Sequence, residues 1–216
     1  MMPARLPENR RLTADALDAI VIGGSAGSVN ALSVLMPALP AEVPTFVVVH
    51  VPANRPSSLA EVLGAATGRT TREAEDKERP EPGCIYFAPP GYHLLIETDR
   101  CLALSVDETV CFSRPSIDVL FETAASAFGE RILGILLTGA SPDGAQGLKC
   151  IHEAGGVSVV QDPASAEAPT MPNAAIEACQ PDHVLSLYAL ADFLRDLTPP
   201  SRTAAEGGQG GSDADA

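Results

Sequence analysis

The chain has 216 residues, 45% of them hydrophobic, so it is long enough for one well-covered domain and too short for two. Its formal net charge is −14 with 14 Lys and Arg residues, which argues against nucleic acid as a partner because few cations are available to neutralise phosphates. No apolar run approaches the roughly 20 residues that cross a bilayer, and the N-terminus lacks the apolar core of a signal peptide, so we expect a cytoplasmic protein without membrane insertion.

The first half of the chain alternates strand and helix patterns behind a polar, proline-containing lead at residues 1–16, which we expect to be disordered. The continuous apolar run that ends at His50 is typical of a strand buried on both faces of a parallel sheet. The predicted elements are a strand at 17–22, a helix at 28–39, a strand at 46–50, a helix at 57–66 and a charged loop at 69–82.

Three short strands are predicted next, at residues 84–88, 92–97 and 101–106. The segments 89–91 and 98–100 separate them and have turn compositions suited to hairpins. We therefore expect an antiparallel flap appended to the parallel sheet.

Strand and helix patterns alternate again in the second half, before a tail at residues 199–216 that we expect to be disordered. This alternation predicts an α/β fold, a three-layer, doubly wound and mostly parallel sheet with an appended antiparallel hairpin, in one domain over residues 17–198. The predicted elements are a helix at 115–128, a strand at 132–138, a helix at 145–154, a strand at 157–160, a helix at 172–179, a strand at 183–187 and a helix at 190–197.

Three residues at the predicted carboxyl ends of strands have matched chemistry: Ser25, His50 and Asp143. Ser25 lies in a G-x-S-x-G turn between the first strand and helix, where its hydroxyl faces an open crevice. A serine nucleophile needs a base within hydrogen-bond reach, and an imidazole base needs a carboxylate to fix its tautomer. Ligands bind at this edge of doubly wound sheets, so the fold could bring the three together.

Each of the three residues also has a structural interpretation. Ser25 and Asp143 could simply cap helices, and His50 could be a satisfied polar residue. A dinucleotide fingerprint fits the turn worse, because serines stand where it needs glycines. The chain order Ser, His, Asp differs from that of α/β-hydrolases.

No metal or cofactor is predicted. The five cysteines are widely spaced and never form C-x-x-C, which indicates reduced thiols that pack as small hydrophobes, and no spacing among histidines and carboxylates suggests a metal site. No cysteine lies on a strand-to-helix turn, which argues against a catalytic thiol. The cysteines are Cys84, Cys101, Cys111, Cys150 and Cys179.

Over about residues 18–197 the chain resembles the catalytic domain of the CheB-type chemotaxis methylesterases. These enzymes remove methyl groups from glutamate side chains of chemoreceptors, and some members deamidate receptor glutamines. The motifs that carry the resemblance are residues 21–27, 49–52, 85–90, 113–121, 137–139, 143–148 and 171–176.

The resemblance implies a carboxylic-ester hydrolase that acts on the cytoplasmic helices of methyl-accepting chemoreceptors. It assigns the nucleophile to Ser25, the base to His50 and the aspartate to Asp143, with backbone N–H groups near Ser25 and Ala140 holding the oxyanion. The family usually has glycine at the position of Ser28, so the serine here puts substrate fit in question, and Ala140 also departs from the usual pattern.

The R-P-S-x-D motif of the family falls on Arg114, Pro115, Ser116 and Asp118, which the resemblance puts beside the active-site cleft. From the residues alone, Arg114 and Asp118 could equally form an ion pair at a helix start. Arg114 could also contact substrate.

CheB-type enzymes commonly carry an N-terminal receiver domain, which needs about 100 residues. Fewer than twenty residues precede the first strand here, so we expect a catalytic domain without a receiver, and a separate receiver protein is a conceivable partner. Two rival functions stay open: a non-catalytic receptor-docking or signalling scaffold of the same fold, and an esterase for small molecules.

Overall fold

A seven-stranded parallel sheet forms the centre of the protein in the computed structural model, which describes residues 12–51 and 57–197. Within these residues the strands are β1 (Ala19–Gly24), β2 (Thr45–Val49), β3 (Thr71–Glu73), β4 (Ile85–Phe87), β5 (His93–Ile96), β6 (Leu102–Ser105), β7 (Ile132–Leu136), β8 (Val157–Gln161) and β9 (His183–Leu185). The order in the sheet is β3-β4-β2-β1-β7-β8-β9, and β5 and β6 form a separate antiparallel hairpin.

Helices cover both faces of the sheet. Their bounds are α1 (Ser28–Leu35), α2 (Leu59–Thr67), α3 (Ile117–Phe128), α4 (Ala145–Glu153), α5 (Thr170–Cys179) and α6 (Leu187–Leu197). Ile20 and Ile22 of β1 pack in a core with α1, α2 and α6, whereas Ala19 and Val21 pack in a second core with α3, α4, α5 and the hairpin. Both faces of the strands are therefore buried, and the predicted three-layer doubly wound fold with an appended hairpin is confirmed.

Two of the short strands differ from their predictions. The strand predicted at residues 84–88 for the antiparallel flap is β4, which pairs in parallel with β2 inside the main sheet. The charged stretch at residues 69–82, predicted as a loop, contains β3, which pairs with β4. Arg72 and Glu73 of β3 are exposed, so this edge strand lacks the apolar run by which buried strands are recognised.

The lead and the tail are described only in part. Residues 12–16, counted with the disordered lead in the prediction, include a 3₁₀ helix at Ala14–Ala16, and the Ala14 side chain is buried against the first core. The predicted disorder of residues 1–11 and 199–216 falls outside the described residues. Within the part that the structure describes, no helix combines the length and apolarity needed to cross a bilayer.

The strand order puts the candidate residues at one edge of the sheet. β2 lies on one side of β1 and β7 on the other, so the direction of winding reverses at β1. A crevice opens at such a reversal, outside the carboxyl ends of the strands. Ser25 follows β1, His50 follows β2, and Asp143 lies in the loop after β7.

Gly144 fixes the backbone beside Asp143, and its substitution tests this packing. Its φ is +96°, and a Cβ there would lie 2.5 Å from Leu136 Cδ1 and 2.7 Å from Ile117 Cγ2. Gly68, which follows α2, also has a left-handed backbone, with a φ of +70°, but an added Cβ there would meet nothing within 4 Å. Alanine substitutions at the two glycines therefore separate the cost of a left-handed backbone from the cost of crowding.

We predict that Gly68→Ala lowers the free energy of unfolding by about 1 kcal/mol, the cost of a left-handed alanine. Gly144→Ala should cost roughly 1–3 kcal/mol more, because packed side chains must also move. Urea unfolding of both variants measures the difference. Equal losses would contradict the crowding at Gly144.

Candidate active site

The Asp143 carboxylate is completely buried at the N-terminus of α3. Its Oδ1 accepts hydrogen bonds from the Ser116 hydroxyl at 2.8 Å and the Asp118 N–H at 3.1 Å. Its Oδ2 accepts from the Ile117 N–H at 2.8 Å and lies 2.7 Å from His50 Nε2. The N–H groups of a helix's first turn lack partners within the helix and favour negative charge, so this is a suitable position for a buried carboxylate.

Burial by itself raises the pKa of Asp143, since it disfavours the charged form. The hydrogen bonds from His50, from the backbone of Ile117 and Asp118, and from Ser116 outweigh burial, and the pKa lies below its ordinary value. Asp143 is therefore a carboxylate at neutral pH.

His50 follows β2 and has its two ring nitrogens in different surroundings. Because Nε2 faces the Asp143 carboxylate at 2.7 Å, it carries the proton and donates it. Nδ1 then holds the lone pair, and it lies 3.5 Å from the Ser113 hydroxyl. The His50 side chain is 14% exposed, so Nδ1 belongs to a group that solvent and substrate can reach.

Ser25 is held by its backbone at the end of β1. Its N–H donates to the Thr138 carbonyl at 2.9 Å, which ties the turn to the loop after β7. Gly24 pairs with Val49, so Ser25 and His50 occupy the next positions of two neighbouring strands, which lie about 4.8 Å apart. Within the described residues no hydrogen bond joins the Ser25 hydroxyl to the His50 ring, and the hydroxyl at Nδ1 is that of Ser113.

Ser28 does not extend toward the substrate side of this turn. It is fully buried, and its hydroxyl donates to the Ser25 carbonyl at 2.6 Å. Its N–H donates to the same carbonyl at 3.0 Å. The serine that replaces the usual glycine therefore braces the Ser25 turn from within.

Within the described part of the chain, the backbone N–H groups of Ala26, next to Ser25, and of Ala140, two residues after Thr138, have no acceptor, and neither do those of Gly27 and Ser141. Ala26 and Ala140 are exposed. Thr138 fixes the backbone on both sides, because its hydroxyl donates to the Ala26 carbonyl at 2.9 Å and accepts from the Ala168 N–H at 2.8 Å.

Arg114 and Asp118 do not form the ion pair considered from the sequence. Arg114 Nη1 donates to the carbonyls of Val106 and Asp107, at 2.7 and 2.8 Å. Asp118 Oδ1 accepts from the Gly147 N–H at 2.7 Å, at the start of α4. The ion-pair interpretation is wrong because the two side chains bond instead to backbone groups of two different segments.

His93 and Ser113 were not singled out from the sequence as site residues, and the structure adds them. His93 is 1% exposed, its Nδ1 accepts from the Ser116 N–H at 3.1 Å, and its Nε2 therefore donates to the Glu108 carbonyl at 3.0 Å. His93 thereby holds in place the segment whose Ser116 hydroxyl bonds to the Asp143 carboxylate. The sequence prediction selected candidates at strand-to-helix turns. Neither His93 nor Ser113 lies on such a turn, so the prediction could not identify them.

A cavity of about 280 Å³ adjoins the Nδ1 side of His50. It is lined by His50, Val51, Thr109, Phe112, Ser113, Arg114 and Pro115. His50 therefore opens onto this cavity, whereas Ser25, Ala26 and Ala140 do not line it.

Within residues 12–51 and 57–197, one group of three possible metal ligands comes together: Cys111, Asp118 and Asp143, with ligand atoms within 4.8 Å of one another. Both Asp143 oxygens already accept hydrogen bonds. Burial raises the pKa of the Cys111 thiol, so it is protonated at neutral pH. A metal here would have to displace the donors that hold Asp143, His50 among them.

Asp118 makes the stability of the folded protein depend on pH, with a sign opposite to that of the dependence due to Asp143. Burial raises the pKa of Asp118 from 3.8 to about 6, and the Asp143 charge adds to the rise against the hydrogen bond from Gly147. Between these pH values the folded protein holds a proton that the unfolded chain has lost. Stability due to this group therefore falls as pH rises from about 4 to about 6.

We predict that Asp118→Asn, whose Oδ1 can still accept from Gly147, removes this fall. Relative to the variant, the wild type should lose on the order of 2–3 kcal/mol of unfolding free energy between pH 4 and pH 7. Urea unfolding of both proteins at the two pH values measures it. A difference between the proteins that stays constant with pH would show that Asp118 does not titrate in this range.

Comparisons with known proteins identify the family of this chain. The family model for the CheB methylesterase matches residues 20–194. A relative from Leptospira interrogans, named for protein-glutamate methylesterase/protein-glutamine glutaminase activity, is 49% identical over 181 residues, which cover 82% of this chain and 94% of the relative. An enzyme of the same name from Caulobacter vibrioides is 35% identical over 93% of this chain and 59% of its own length.

The fold agrees as well. The crystal structure of the Thermotoga maritima CheB methylesterase catalytic domain superposes with a TM-score of 0.79 at 30% identity, covering 84% of this chain and 98% of that domain. The family match extends over Ser25, His50 and Asp143. The chain therefore belongs to the CheB methylesterase family.

Proposed function

We propose that this protein is a protein-glutamate methylesterase in which Ser25, His50 and Asp143 act as a catalytic triad. The observation that carries the proposal is the 2.7 Å contact between His50 Nε2 and the buried Asp143 carboxylate, one strand away from Ser25. A carboxylate bonded to one imidazole nitrogen leaves the other as a base. The substrate would be the methyl ester of a glutamate side chain.

In the first step the Ser25 hydroxyl attacks the ester carbonyl carbon, and His50 Nδ1 takes the hydroxyl proton. The imidazolium that forms is stabilised by Asp143, which stays ionised because its pKa is low. The Ala26 and Ala140 N–H groups, which have no acceptor within the described residues, are the donors we assign to the oxyanion. Methanol leaves with the proton from Nδ1.

In the second step water gives a proton to His50 Nδ1 and attacks the acyl carbon. The bond from that carbon to the Ser25 oxygen then breaks, and the proton passes from Nδ1 to this oxygen, which releases the glutamate and regenerates Ser25. The same steps hydrolyse a glutamine side chain when ammonia is the leaving group. The names of the Leptospira and Caulobacter relatives carry both activities, and we propose both for this site.

We propose the cytoplasmic helices of methyl-accepting chemoreceptors as the substrate, and therefore a cytoplasmic location. The family membership supports this substrate. A scaffold of the same fold explains the site less well, because burying a carboxylate is costly and a docking module has no use for a histidine base beside it. A small-molecule esterase would hydrolyse simple esters rapidly without any receptor.

Ser113 offers a matched control for Ser25, because its hydroxyl lies 3.5 Å from the same nitrogen of His50. We predict that Ser25→Ala lowers methanol release from methylated receptor on the order of 10³-fold or more, since it removes the nucleophile. Ser113→Ala should lose less than about tenfold.

Methanol release is measured with purified wild type and both variants, and circular dichroism controls for folding. Near-normal turnover by Ser25→Ala would remove the proposed nucleophile. A loss confined to Ser113→Ala would transfer that role to Ser113.

A further inference from the structure

A two-residue turn at Cys111 and Phe112 carries a fully exposed aromatic ring at the rim of the site. Val110 and Ser113 flank the turn and exchange two backbone hydrogen bonds, at 3.2 and 2.9 Å. The φ angles of Cys111 and Phe112 are +49° and +63°. Phe112 has a relative exposure of 101%, the highest among the exposed large hydrophobic residues of the described chain.

Folding alone does not account for this turn. Positive φ is uncommon for residues other than glycine, and asparagine or glycine would fit both central positions better. The Phe112 ring contributes nothing to either core. Strained backbone that displays a side chain without packing it is a feature of functional sites.

The residues that follow the turn contact the base and the preceding loop. Ser113, adjacent to Phe112, lies 3.5 Å from His50 Nδ1 through its hydroxyl. Arg114 clamps the preceding loop by donating to the carbonyls of Val106 and Asp107. The Phe112 backbone is thus held at a fixed position relative to the base.

The cavity of about 280 Å³ is too small for a helix with its side chains, which is about 10 Å across. It is lined by His50 and Phe112, and Ser25 lies outside its lining. An esterified glutamate that reaches Ser25 and His50 must therefore leave its own helix outside, against the rim. Phe112 both lines the cavity and stands on that rim.

Two further exposed apolar residues lie at the end of the hairpin that precedes the turn. Tyr92 and Val106 flank the paired residues His93 and Ser105 at the open end of the β5–β6 hairpin, and they are 43% and 65% exposed. The Val106 carbonyl bonds to Arg114, two residues from Phe112. Neither Tyr92 nor Val106 lines the cavity, so Phe112 is the exposed large apolar residue at its edge.

We propose that Phe112 is a specificity-determining residue that packs on the apolar surface of the substrate helix while the esterified glutamate reaches Ser25 and His50 beside the cavity. This inference rests on the proposed function and names the feature of the substrate that is recognised, a helix rather than an ester alone. Aromatic residues supply large contact areas at low entropic cost, which suits such a contact.

The test compares kcat/KM for two substrates, methylated chemoreceptor and p-nitrophenyl acetate, in wild type and two variants. Phe112→Ser should lower the ratio of the receptor value to the nitrophenyl value about tenfold, chiefly through KM for the receptor. Tyr188→Ser is the control, because Tyr188 is 74% exposed on α6, on the opposite face of the sheet, and the ratio should not change. Phe112→Tyr should keep most of the receptor activity.

An unchanged ratio in Phe112→Ser, with wild type active on the receptor, would overturn the docking role and leave the proposed function intact. An equal loss on both substrates would also overturn it, since the ring would then serve the chemistry or the fold. A wild type that releases no methanol from the receptor would overturn the proposed function, and this inference with it.

Discussion

The buried carboxylate of Asp143 is the constraint on which the site depends. A charge with no exposure to solvent must be fully hydrogen-bonded, because an unpaired one would cost several kcal/mol. The donors come from Ser116 and the first backbone N–H groups of α3 on one side and from His50 on the other. Three segments that are distant in sequence, the β2 end, the α3 start and the β7–α4 loop, therefore meet at one pair of oxygen atoms.

The same constraint decides which nitrogen of His50 does chemistry. Since Nε2 donates to Asp143, the lone pair of Nδ1 faces the cavity and the rim that carries Phe112. The parallel register of β1 and β2 then brings Ser25 alongside, and Ser28 and Thr138 hold its turn from within the protein. His93 supports the arrangement from behind by binding the Ser116 N–H. The same set of hydrogen bonds therefore fixes the positions of the catalytic residues and of the rim that contacts the substrate.

Much of this could be predicted from the sequence, because the signals are local. Buried parallel strands are continuous apolar runs, and strand-to-helix turns mark the edge where Ser25, His50 and Asp143 lie. The exposed strand β3 has no apolar run, and the pairing of β4 with β2 is a long-range contact, so neither was found. The partners of Asp118 and the role of His93 likewise depend on which loops meet in space, which spacing does not encode.

The central claim is that Ser25 is the nucleophile activated by His50, and covalent trapping tests it most directly. A fluorophosphonate reacts with a serine only when a neighbouring base activates it. We predict that mass spectrometry of the treated wild type finds the phosphonyl group on Ser25, and that His50→Ala or prior unfolding prevents the labelling. A label on Ser113, or labelling of Ser25 that persists in His50→Ala, would contradict the account.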